Sequence, residues 1–183
     1  NTAAPVVSEL HRLEPKELTF IIASGLMELY YDSRTCSVVA YDKSADFYWT
    51  ALPVSRNDTA SMLTAVLSSE KGRFYLNTQD HSVAFGTFNT ELLSDGIGIT
   101  YIMSDKAETA VKSPEALSDD ELYISVPLTI TLEDGNLRVT LDRGKLFVSD
   151  GYILESLTVM PFFGALSYTD EAKAGEAALY AAF

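Results

Sequence analysis

With 183 residues, 47% of them hydrophobic and 21% charged, the chain is long enough to close one hydrophobic core unaided and too apolar for disorder. Its 26 acidic against 13 basic residues give a formal charge of −13, a field that repels phosphate backbones and anionic headgroups and argues against nucleic acid or membrane as partner. A single cysteine, Cys36, excludes an intrachain disulfide, and two histidines without Cys/His spacing leave no zinc motif, so neither metal nor cofactor is expected.

The small, polar start Asn1-Thr2-Ala3-Ala4-Pro5 reads as the remnant of a processed leader or a chain boundary, which fits export to the cell surface or beyond. Residues 1–17, including His11, form a polar lead-in. No run approaches the ~20 apolar residues of a membrane span, so no membrane insertion is expected. From Leu18 onward the dominant signal is alternation with a period of two. It predicts strands near 18–23, 26–31, 36–42, 46–50, 61–68, 72–77, 82–89, 97–103 and 151–160. The turns between them include Ser24-Gly25, Asp32-Ser33-Arg34-Thr35, Asp95-Gly96 and Asp150-Gly151. Cys36 sits in an apolar run and is read as core.

The segment 124–142 reads as a β-hairpin. Val126, Leu128, Ile130 and Leu132 share one face, Leu137, Val139 and Leu141 repeat the alternation, and Asp134-Gly135 supplies the positive φ that a tight turn needs. Pro127 has no N–H to give a ladder, which predicts an edge strand or a bulge at that point. Ser113-Pro114-Glu115 carries a helix-start signature for a short helix ending near Leu122, and the alanine-rich stretch from Asp170 to Phe183 suits a loop with a terminal helix. About ten short strands at this spacing predict an all-β antiparallel sandwich with one or two short helices, a domain over 18–165, and a tail over 166–183 leading toward a further domain.

Few residues offer chemistry. His81, in the polar stretch Asn77-Thr-Gln-Asp-His81, is either a solvated loop residue or a ligand contact. Glu155 is the one acid in the apolar strand 152–160; it either meets solvent or a cation, or faces a ligand. Tyr41, Tyr48 and Trp49 are aromatics that serve either packing or a sugar platform, since aromatic faces stack on the apolar faces of sugars. No phosphate-cradling glycine motif is present, and Gly96-Ile-Gly98 is a turn entering a strand. No catalytic residue is assigned.

Three stretches together, 26–53 with its Val39-x-x-Asp42-Lys43 strand and Trp49-x-x-x-Pro53 ending, 126–141, and 152–165 with Pro161-Phe-Phe-Gly-Ala165, resemble the N-terminal β-supersandwich domains of large exported bacterial glycosidase-like proteins. The resemblance runs from about Leu18 to Ala165 and implies a galactose-mutarotase-like fold. Such domains precede a (β/α)₈ barrel that carries the acid and nucleophile, and the sandwich packs beside it. The implied role is therefore a non-catalytic accessory domain of a carbohydrate-active protein, with an adjacent domain and a glycan as partners. Here the segment after Ala165 departs from the family's glycine-rich turn into the next domain. True mutarotases use a His and a Glu on the sandwich, but no motif aligns His81 or Glu155 with those positions. Two alternatives remain open: an adhesive or protein-contact module, and an aldose-epimerase-type enzyme using His81 and Glu155.

Overall fold

The computed structural model describes residues 18–52, 60–105 and 121–163. The 1–17 lead-in, the body of the helix expected from Ser113 and the alanine-rich tail lie outside these residues. Three antiparallel sheets account for nearly all of the regular structure described. Thr19–Ser24 (β1), Met27–Asp32 (β2), Ser37–Asp42 (β3) and Phe47–Thr50 (β4) form a four-stranded meander. Leu63–Ser69 (β5) pairs on one side with Gly72–Asn77 (β6) and on the other with the last strand, Ile153–Val159 (β12). Between them in sequence, Phe88–Leu92 (β7), Gly96–Ser104 (β8), Tyr123–Glu133 (β9) and Asn136–Leu141 (β10) lie in the order β10-β9-β8-β7, with Phe147–Val148 (β11) also pairing with β9. The chain is an all-β sandwich, as the alternation implies.

The sheets close on one core because their alternating residues point the same way. Leu29 and Val38 from the four-stranded sheet, with Ala51 just past β4, meet Leu63, Ala65, Leu67 and Leu76 from the three-stranded one, and Ile97, Ile99, Met103, Ile124, Val126, Leu128 and Ile130 from the five-stranded one. Burying side chains of this size contributes roughly 1.5–3 kcal/mol each, enough to offset the ordering of many short strands. Cys36 is in this core, as expected. It occupies the turn between β2 and β3 with φ 47°, and its carbonyl accepts a hydrogen bond from the hydroxyl of fully buried Tyr101 on β8. That bond ties the four-stranded sheet to the five-stranded one across the core. A second tie joins Ser24, at the end of β1, to the β9–β10 turn, where the Gly135 N–H donates to Ser24 Oγ at 3.0 Å.

The hairpin forms as the sequence implies. Glu133 pairs with Asn136, and Asp134 (φ 50°) and Gly135 (φ 77°) make the two-residue turn whose twist matches the flanking strands. Pro127 requires a correction: it lies on β9, an interior strand, opposite Thr100 of β8. The reason it fits is local. The Leu132 N–H points to the β8 side, where it donates to Asp95, so even-numbered residues of β9 donate that way and odd-numbered ones face the other edge. On that other edge β10 ends opposite Leu128 and β11 begins opposite Ser125. The missing N–H therefore falls in the gap between two partner strands.

The strand expected over 82–89 is also corrected. Thr78–His81 form a single helical turn (α1) and Val83–Phe85 a 3-10 turn, and β7 starts only at Phe88. Asn77 drives the helical turn: its side-chain oxygen accepts from the Asp80 N–H at 2.8 Å while its amide donates to Asp80 Oδ2 at 2.8 Å. Gly86, with φ 66°, ends the 3-10 turn.

Candidate functional site

The four-stranded sheet has a core face and an outer face, and cross-strand pairing assigns each aromatic to one of them. Tyr41 pairs with Glu28 on β2 and with Tyr48 on β4, and Tyr30 pairs with Phe20 on β1, so these five share a face. Trp49 pairs with Ala40, which pairs in turn with buried Leu29, so Trp49 is on the core side. Adjacent strand residues cannot point the same way. The structure thus brings Tyr41 and Tyr48 together and separates Trp49 from them.

On the outer face Tyr41 and Tyr48 stack with ring centroids 4.5 Å apart and planes 23° from parallel, and Phe20 meets Tyr30 edge-on at 5.6 Å. The phenols are anchored. Tyr41 Oη donates to Asp46 Oδ1 at 2.8 Å, and Tyr30 Oη donates to Glu28 Oε2 at 2.5 Å. Lys43 Nζ sits 2.7 Å from Glu28 Oε1. Asp46 is placed by the β3–β4 turn, where Asp42 Oδ1 accepts from the Ser44 N–H and hydroxyl and Asp46 itself adopts φ 49°. These contacts set the charges. The Lys43 and Tyr30 hydrogen bonds hold the Glu28 carboxyl below its usual range, and the Asp46 carboxylate pushes the Tyr41 phenol up to about 12. Half-burial and Glu28 raise Tyr30 further. The face is therefore a strip of neutral phenols rimmed by two carboxylates and one ammonium at neutral pH.

Trp49 is half-buried and packs edge-on against Phe47, centroids 4.9 Å apart. His81 closes the α1 turn. Its Nδ1 lies 3.1 Å from the Asn77 nitrogen and 3.2 Å from the Asn77 carbonyl oxygen, so either tautomer finds its partner on the Asn77 backbone. Glu155 is the extra residue of a β-bulge in β12, between Leu154 and Ser156. It reaches across β5 to Arg73 on β6, whose Nε donates at 2.8 Å and whose Nη2 makes a second, closer bond. Arg73 and then Ser68 hold its carboxyl below the usual range, so it is the cation-paired residue that was one of its two readings and a poor proton donor.

Sequence reasoning missed a second outer surface, that of the β9–β10 hairpin. Thr129, Thr131, Thr140, Arg138 and Arg143 line an open hollow of about 680 Å³. The signal was present: the outward residues of β9 and β10 are threonines and an arginine, and they lie beside Gly98 of β8. No helix among the described residues is long and apolar enough to cross a membrane. No protein-family model matches the chain, and no curated protein does.

Proposed function

We propose that the chain is a non-catalytic accessory domain of an exported carbohydrate-active protein, bracing an adjacent domain of its parent and touching glycan through the outer face of β1–β4. The observation that carries this reading is the stacked Tyr41–Tyr48 pair on the outside of the sheet, with Phe20 and Tyr30 beside it. Flat aromatic surface takes the C–H faces of a sugar ring, while Glu28, Asp46 and Lys43 at the rim offer acceptors and a donor for its hydroxyls. The galactose-mutarotase-like supersandwich belongs to the same proposal. Its support is the set of antiparallel sheets sharing one core and the sequence stretches that resemble that family.

A glycan array probed with the 183-residue chain and with a Tyr41→Ala/Tyr48→Ala variant tests it. Binding that falls at least tenfold in a variant with an unchanged circular dichroism spectrum supports the reading, since each lost stacking contact is worth about 1 kcal/mol. No retained glycan, or binding indifferent to the double substitution, refutes it. A second reading, protein contact, is favoured by Tyr75 and Ile153, which are 63% and 69% exposed on the outer face of the three-stranded sheet. Loss of a chain–partner complex in Tyr75→Ala/Ile153→Ser would support that alternative.

A further inference from the structure

The hollow on the outer face of the β9–β10 hairpin combines three features that packing does not explain. The first is its charge. The two acids in its lining are already neutralised: Arg138 Nη2 lies 3.2 Å from Glu133 Oε2, and Asp142 takes the Gly144 N–H at 2.9 Å and Lys145 Nζ at 3.5 Å. Arg143 makes no ion pair among the described residues and is exposed. The lining thus keeps a spare guanidinium in a chain whose net charge is −13.

The second is its hydroxyls. Thr129 pairs with Thr140 and Thr131 with Arg138, so donors and acceptors stand side by side on adjacent strands. The third is at its margin: Gly98 of β8 lies opposite the lining residue Thr129 in the β8–β9 pairing. Gly96, two residues earlier, is obligatory because a Cβ there would lie 2.0 Å from the Ile130 carbonyl oxygen. Gly98 is under no such constraint. Its Cβ would meet nothing nearer than the Glu91 carbonyl oxygen at 3.7 Å, and its backbone is not left-handed. A glycine inside a strand costs about 0.5–1 kcal/mol relative to alanine, and one that packing does not demand keeps the surface beside it clear for something that approaches closely.

We infer that this hollow is a second binding surface, for an oligosaccharide bearing carboxylates. The hollow is open to solvent and would not enclose an apolar ligand. Threonine hydroxyls match a hydroxylated body, and the unpaired Arg143 fork matches a carboxylate, which it can hold through two parallel hydrogen bonds. The surface belongs to the five-stranded sheet and shares no residue with the aromatic strip, so it stands if the strip binds nothing.

The test is a ¹H–¹⁵N NMR titration of the full chain with tetragalacturonate, with maltotetraose as the neutral comparison. Saturable shifts at Gly98, Thr129 and Thr140 with the uronate alone are expected. Affinity should fall about tenfold or more in Arg143→Ala, as a charged hydrogen bond is worth at least about 1.5 kcal/mol. It should also fall in Gly98→Thr, which places a side chain beside Thr129 at the margin of the hollow, and should be partly kept in Arg143→Lys. Spectra of the variants away from the hairpin should match the parent. Equal shifts with maltotetraose, shifts confined to Tyr41 and Tyr48, affinity unchanged in both Arg143→Ala and Gly98→Thr, or no saturable shift would each overturn the inference.

Discussion

Replacing Gly96 and Gly98 by alanine, one at a time, should move stability in opposite directions. The two glycines sit on the same strand and the same face, so strand propensity cannot separate them; their surroundings can. At Gly96 the added Cβ would overlap the Ile130 carbonyl oxygen at 2.0 Å and the Thr131 Cα at 2.8 Å, both backbone atoms of a central strand that cannot turn aside. The β8–β9 ladder must spread to admit it, and overpacking of this kind costs up to about 3 kcal/mol. At Gly98 the methyl would meet only ordinary contacts. It removes unfolded-state freedom and should add about 0.5–1 kcal/mol. Urea unfolding followed by the fluorescence of the single Trp49 gives both numbers, provided the m-value is unchanged. Per kcal/mol the melting temperature of a chain this size shifts by roughly 2–4 °C. Two substitutions of the same sign, or a Gly96→Ala change within about 0.5 kcal/mol of the parent, would refute the reasoning.

Other predictions follow from single contacts. Tyr101→Phe keeps the packing but leaves the Cys36 carbonyl without its donor, which should cost about 1–2 kcal/mol by urea unfolding; no loss would mean that water replaces the hydroxyl. Asn77→Ala removes the side-chain acceptor of the Asp80 N–H, should cost about 1 kcal/mol, and should speed hydrogen exchange at residues 78–81 before that of the sheets. Glu28 has a folded-state pKa below its ordinary value of 4.5, so its contribution is complete above that value and is lost as pH falls through the lower folded pKa. The stability gap between parent and Glu28→Gln, under about 1 kcal/mol for so exposed a pair, should therefore be present at pH 7 and shrink on acidification below pH ~4. A gap that persists unchanged in acid would show that the carboxylate charge is not its source.

Much of the fold is legible because alternation and turn chemistry agree. In the 124–142 hairpin the apolar residues fall every second position and Asp134-Gly135 needs the very φ that a two-residue turn imposes, so local preference and burial select one register. The helical turn after β6 was hidden because Val83 and Phe85 imitate a strand, while its real determinant is the Asn77–Asp80 exchange three residues apart. Pro127 implies an edge or a bulge only where both ladders of its strand run unbroken. The interruption between β10 and β11 depends on where the 142–146 segment leaves β9, which the local sequence does not express. At the candidate site the same period of two that identifies β4 already implies that Tyr48 and Trp49 diverge. The partner of Glu155 was not legible, since Arg73 is 82 residues away and meets it only through a three-strand sheet.

The lone thiol has a practical consequence. Cys36 is fully enclosed between two sheets, and that burial pushes its pKa up to about 11, so at neutral pH almost no reactive thiolate exists and no reagent can reach what there is. Alkylation must wait until the sheets part around the β2–β3 turn. One mass-spectrometric label per molecule would then serve as a clock on opening, its rate reporting how often the two halves of the sandwich let go of each other.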